Sequence, residues 1–190
     1  MGVIKGITDI VFRCPVNYGL GVDKLIKKGK YDLVNNRWVH NEITENNFPT
    51  KRGGQKEVEM KIFHFRKKRT LEEYSKAKDR EGFLSQYLFK GEFWEKDVTL
   101  KEVKAEMANQ GYRPAKLCEL LAFEDAYPEY LWSTGLLIAL GSACRNSDGC
   151  RQFPYLSESV FERKKWLHLS LVKKGKDGLG WTCYFLAVRK

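Results

Sequence analysis

The sequence predicts an α+β fold in which two helices pack on a small antiparallel sheet, a C-terminal set of strands following a long insertion ahead of the first main helix. Three observations predict it. "KEVEMKIFHF" alternates apolar and charged residues with the period of a half-buried strand, "VTLKEVKAEMANQG" and "AKLCELLAFEDAY" carry helical spacing in quick succession, and everything after Leu136 reads as short strands between turns. A strand, two helices and then several strands is the order of a domain whose helices are segregated from its sheet.

Taken along the chain, residues 1–55 read as an N-terminal extension of helix plus loop that packs on a main domain spanning 56–190. In "VDKLIKKGKYD", Val22, Leu25 and Ile26 share one helical face and Gly29 closes it, and the Asn-rich passage "NNRWVHNEITENNFPTKRGG" reads as loop. In the strand that follows, Val58, Met60 and Ile62 point one way and Glu57, Glu59 and Lys61 the other. Residues 66–97 are a charged insertion containing Phe83, Tyr87, Phe93 and Trp94, either folded back on the domain or presented as an aromatic and basic ledge.

The first main helix is the best specified. Thr99 and Glu102 have capping-box spacing, Val98 and Val103 are placed for a hydrophobic staple, Leu100, Val103 and Met107 form the buried stripe, and Gly111 ends it. In the second, Leu117, Leu120 and Leu121 share a face and Pro128 stops the helix. Beyond it, "LLIAL" reads as a buried strand, "RQFPYL" as one broken by Pro154, and "WLHLSLV" as an alternating strand with Leu167, Leu169 and Leu171 inward. His168 then faces outward, while His64 continues an apolar face as a core histidine. "CYFLAV" is a strand held in a core.

At 190 residues and 43% hydrophobic, the chain suits one domain; 34 Lys and Arg against 24 Asp and Glu leave it at +10, which favours an anionic or acidic partner. No run reaches the length of a membrane span and "MGVIKGITDIVFRCPVNYG" lacks the pattern of a secretory signal, so the expectation is a cytoplasmic or virion-associated protein. The five cysteines (Cys14, Cys118, Cys144, Cys150 and Cys183) are scattered without a C-x-x-C pair and read as reduced thiols; the alternative for Cys144 and Cys150 is a bridge across "RNSDG".

Catalytic patterns are missing: there is no paired-carboxylate, nucleophile-elbow or phosphate-loop motif, and "GLGVDK" lacks the lysine and hydroxyl that a phosphate loop needs. The histidines His40, His64 and His168 are far apart, and Cys144, Cys150 and Cys183 match no zinc module, so no metal or cofactor is expected. "KKGK", "RKKR" and "ERKKW", interleaved with aromatics, keep a basic nucleic-acid or anionic-polymer binder open as the alternative function.

"GYRPAKLCELLAFEDAYPE", "IALGS", "SDGCRQFPYL" and the closing "FLAVRK" together resemble the C-type lectin fold in its prokaryotic form, shared by formylglycine-generating-enzyme-like domains and by the variable proteins of diversity-generating retroelements. The resemblance covers residues 56–190 and implies a strand leading into two helices and a last strand ending in an arginine-bearing motif, matched here by Val188 and Arg189. The cysteine pair of the oxidase and the calcium-binding triplet of animal lectins have no counterpart, so neither activity carries over. The resemblance instead implies a non-enzymatic receptor or adhesin type of protein that binds a protein ligand through a diversifiable region, 141–190.

In such systems adenine-directed copying turns Asn-type codons into codons for any residue except Lys, Gln, Glu, Met or Trp. Cys144, Arg145, Ser147, Phe161, Arg163, His168, Cys183 and Tyr184 are candidates for the binding surface on this basis, with Trp166 and Trp181 as fixed aromatic anchors and Lys164, Lys165, Lys173 and Lys176 as steering charges. Trp181 and Tyr184 have an equally good alternative, covering the edge of the core.

Overall fold

A computed structural model of the chain describes residues 10–31, 37–50, 53–65, 67–68, 95–96, 98–130, 136–159, 164–172, 178–179 and 183–190. Its centre is a strand buried on both faces. In β13 (Tyr184–Arg189), Leu186 and Val188 point into one apolar cluster while Phe185 and Ala187 point into another. Successive residues of a strand face opposite sides, so two cores flank one sheet.

The strands are β1 (Val11–Asn17), β2 (Arg37–Val39), β3 (Gln55–His64), β4 (Lys67–Lys68), β5 (Glu95–Lys96), β6 (Val98–Thr99), β7 (Tyr112–Pro114), β8 (Leu136–Ile138), β9 (Cys144–Arg145), β10 (Arg151–Ser159), β11 (Lys164–Val172), β12 (Gly178–Leu179) and β13. Nine of them form an open sheet of order β1-β3-β13-β8-β10-β11-β2, with β7 beside β13 and β9 beside β10. The sheet is larger than expected and is mixed: β13 runs parallel to β8, and β11 parallel to β2.

The helices are α1 (Val22–Lys28), α2 (Leu100–Asn109) and α3 (Leu117–Ala126). They are not segregated to one face. Leu117, Leu120, Leu121 and Phe123 of α3, with Val22 and Leu25 of α1, fill the cluster that contains Leu186; Val103 and Met107 of α2 fill the cluster that contains Phe185. The reason lies in β13 and β3, which have large apolar side chains on both faces. After Val58, Met60 and Ile62, β3 ends with buried Phe63 and His64 and is followed by buried Phe65, so the simple alternation ends where the strand enters the middle of the molecule.

Residues 1–55 supply more than helix and loop. β1 pairs with β3 along its whole length, and β2 lies within the passage expected to be loop. Phe12 of β1 joins the ring cluster at the end of α3, with centroids 5.0 Å from Phe123, 5.1 Å from Tyr127 and 4.7 Å from Tyr130. The start of the described chain is therefore part of the core. Of the insertion at 66–97, β4 and β5 form a two-residue antiparallel ladder; its aromatic residues lie outside the described residues.

The capping box of α2 forms as predicted: the Glu102 amide donates to Thr99 Oγ1 at 3.2 Å and the Thr99 amide to Glu102 Oε2 at 2.8 Å. Val98 and Val103 are both buried, and Gly111 takes the left-handed conformation that ends the helix, at φ +82°. Pro154 does not break its strand. It lies opposite Ala139, just past the end of β8, and its carbonyl accepts from the Ala139 amide at 3.0 Å, so the absent N–H costs one bond at the close of that ladder.

Two glutamates are buried on α3. Glu119 is fully enclosed and accepts from Arg113 Nη1 and Nη2 at 3.0 and 2.6 Å, from the Lys116 amide at 2.6 Å, and from the Tyr18 hydroxyl. Glu124 accepts from Lys165 Nζ at 2.7 Å and from the Tyr31 hydroxyl at 3.0 Å. The first ties β7 and the residue that follows β1 to the start of α3, and the second ties α3 to β11 and to the segment after α1.

Candidate functional site

The strand register decides which of the predicted site residues can act together. Across β8, β10 and β11 one row runs Ile138, Tyr155, His168 and the next runs Leu136, Ser157, Trp166. Both rows lie on the α2 side of the sheet, shared with Phe153 and Phe185. Cover thins along the strand. Phe153 is buried, whereas Tyr155, Ser157, Trp166 and His168 are half-buried.

The rings on this face touch. The Tyr155 and His168 rings stack with centroids 5.4 Å apart and planes at 18°, and Trp166 meets His168 edge-on at 6.1 Å. Cys183 packs on the same side, close enough to Tyr155 to add to the effect of burial in raising the phenol above its usual range. His168 moves the other way: burial, then the neighbouring His40, lower its imidazole, which is therefore neutral at pH 7. The expectation that His168 is exposed is thus corrected, because its partner ring on β10 covers one side. The patch is aromatic, with one neutral imidazole, and suited to contact with a partner.

The other predicted residues are elsewhere. Tyr184 projects to the opposite face and stacks on His64 at 4.3 Å, away from Trp166 and His168. Cys144 also faces that side, its Sγ 3.6 Å from Gln152 Oε1. Arg145 closes β9 and Ser147 belongs to the exposed turn between β9 and β10, organised by Asn146, whose Oδ1 accepts from the Asp148 and Cys150 amides at 3.1 and 2.8 Å. Gly149 completes that turn at φ +73°. Phe161, Arg163 and Trp181 lie outside the described residues. The site read from sequence therefore divides into an aromatic face, a turn and two residues, Cys144 and Tyr184, on the far side of the sheet.

Sequence reading missed Tyr155, which stands between the predicted Trp166 and His168 and the rest of the core. The available signal was the spacing Phe153, Tyr155, Ser157, obscured by reading Pro154 as a break. Comparison with protein-family models, curated proteins and solved structures gives no match for this chain. Among the described residues no group of three or more His, Cys, Asp and Glu side chains is placed to hold a metal ion, and no helix is long and apolar enough to cross a membrane.

All five cysteines are reduced thiols, including Cys144 and Cys150 on either side of the turn. Burial, reinforced by nearby carboxylates, pushes the Cys14 and Cys118 thiols up to about 11 from 9.0. In the unfolded chain these thiols ionise first, so above pH ~9 the unfolded state binds fewer protons and stability falls until the folded thiols ionise too. Urea unfolding followed between pH 8 and 11 should show the midpoint dropping across that interval, with a smaller drop in Cys14→Ala. The native chain should also present no more than three thiols to a polar thiol reagent at pH 8, and five in denaturant.

Proposed function

We propose that the chain is a non-enzymatic ligand-binding protein that recognises a protein partner through the aromatic face of β10 and β11. One observation carries this reading: Tyr155, Trp166 and His168 gather as contiguous, half-buried rings beyond the part of the sheet that α2 covers. Half-buried aromatics with one open side are what protein interfaces use as anchors, where truncating such a ring commonly costs about 2 kcal/mol of binding or more.

The C-type-lectin-like scaffold belongs to the same proposal. Its support is the order of elements: β3 leads through the insertion into α2 and α3, β8, β10 and β11 follow, and β13 returns between β3 and β8 to end at Val188 and Arg189. On such a scaffold a diversified C-terminal region can vary only where side chains leave the core. Leu156, Leu167 and the run Phe185–Val188 are buried and must stay apolar, the exposed Ser147 and Asp148 of the turn can change without touching packing, and the half-buried His168 and Cys183 can change within the space left around Tyr155.

Sequencing the DNA that flanks the coding region tests this. The expected result is a near-copy of the 3′ segment beside a reverse-transcriptase gene, differing mainly at adenines, with differences at the codons for Cys183 or Tyr184, for His168 and for residues near 144–150, and none at the buried positions. Finding no such copy would remove diversification and leave a binder of fixed specificity.

A further inference from the structure

A second surface, at the opposite end of β10 from Trp166, has a different chemistry. A groove of about 360 Å³ opens between α2 and the β8–β9 connection, lined by Lys104, Ser142, Arg145, Arg151 and Phe153. Arg145 and Arg151 are direct cross-strand partners in the β9–β10 ladder. Like charges placed opposite one another in an antiparallel pair are destabilising. Lys104 adds a third cation: it projects from α2 with Nζ 5.8 Å from the Phe153 ring centroid, and Arg151 is near enough to depress its ammonium further than burial does alone.

Nothing described neutralises them. Among the described residues no carboxylate pairs with Lys104, Arg145 or Arg151, although Glu59, Glu119, Glu124 and Asp125 are all in ion pairs with other cations. Asp148, in the adjoining turn, is engaged with Asn146 and Ser147. Arg145 is nonetheless held, its Nη1 donating to the Gly149 carbonyl at 2.7 Å, and the Ser142 hydroxyl accepts from the Leu117 amide at 3.0 Å while keeping its own proton to donate. Three cations around one groove, Arg145 held by a backbone carbonyl and Lys104 laid over Phe153, make a site for a multiply charged anion at the expense of mutual repulsion.

We propose that this groove binds a phosphoryl or sulfate group, with Lys104, Arg145 and Arg151 supplying the charge and Ser142 a hydroxyl donor. It uses none of the aromatic face and stands or falls separately from the partner-binding reading. Two sources share this chemistry, a free oxyanion and the phosphodiester backbone of a nucleic acid.

The test uses the full chain with pyrophosphate, inorganic sulfate and a short single-stranded oligonucleotide, against sodium chloride at matched ionic strength, reading thermal midpoint and calorimetric affinity. Pyrophosphate should raise the midpoint beyond the matched salt, and Lys104→Met and Arg151→Gln should each weaken it at least tenfold. Methionine keeps the stem over Phe153, so lost packing cannot mimic the effect. Without any anion, Arg151→Gln should melt no lower than the unsubstituted chain, because it removes a repulsion. An oligonucleotide displaced by pyrophosphate identifies a nucleic-acid backbone as the source; pyrophosphate binding without oligonucleotide binding identifies a free anion, and either supports the groove. No shift beyond matched salt, equal affinity in both variants, or a lowered midpoint in anion-free Arg151→Gln would overturn it.

Discussion

Glu119→Ala will lower the unfolding free energy by about 3–5 kcal/mol, the cost of removing one member of a buried charged network. The size follows from the number of donors left behind. Arg113 is 34% exposed on its side chain and can be rehydrated, but the Tyr18 hydroxyl and the Lys116 amide lose an acceptor inside the protein. Burying a donor without a partner costs about 1–3 kcal/mol each. Glu119 is also the box residue of α3, so the helix loses its N-terminal cap together with its ties to β7 and to the residue that follows β1. Glu119→Gln keeps one acceptor but turns an NH₂ toward the Arg113 fork, and should fall between alanine and the native residue. Tyr18→Phe, which removes one donor of the set, should cost about 1 kcal/mol. Urea midpoints at pH 7 for the three variants give the ranking; an alanine variant within about 1 kcal/mol of the native chain would contradict the network's role.

The second large effect is expected at the other carboxylate. Glu124→Leu leaves the Lys165 ammonium, 11% exposed, facing an apolar side chain, and should cost about 3–5 kcal/mol. Replacing both members tells the pair's own worth from the cost of stranding a charge. Glu124→Leu combined with Lys165→Met fills the same space without an ion, and should recover most of the loss or exceed native stability. In a double-mutant cycle the coupling energy should therefore be large and favourable, while the double variant alone looks almost neutral.

These two glutamates also mark where the sequence was hard to read. Within α3 the stripe Leu117, Leu120 and Leu121 was legible, because apolar residues at helical spacing bury one face. Glu119 and Glu124 lie off that stripe, where no apolar spacing marks burial. Their burial depends on Tyr18, 101 residues away, and on Lys165, 41 residues away, which no local pattern carries. The same contrast holds elsewhere. The capping box at Thr99, the strand around Met60 and Ile62, and the leucines of β11 follow from short-range spacing and are present. β1 and β2 were missed because edge strands take their partners from distant segments, and a "CPVN" run with proline gives a weak strand signal.

For the candidate site, composition and the C-type lectin resemblance pointed to the C-terminal third, and two of the named residues, Trp166 and His168, do share a face. Side-chain period two separates Cys183 from Tyr184, neighbours in sequence that lie with different cores. Lys104 and Arg151 were invisible as a pair because one is on a helix and the other on a strand. Only the tertiary fold brings their charges together.

The place of β13 has a consequence for how the molecule assembles. Without residues 184–189 the sheet is two separate ribbons, β1 with β3 and β8 with β10, β11 and β2, each ending in an unpaired edge. Contacts between β3 and β13 join segments about 120 residues apart, so the loop entropy of closing the chain must be met before the centre can form. During synthesis the inner edges of β3 and β8 stay open until this strand emerges, and open apolar edges are where chains pair wrongly. Cys183 thus stands next to the strand that completes the fold, and a substitution there must leave that closing step intact.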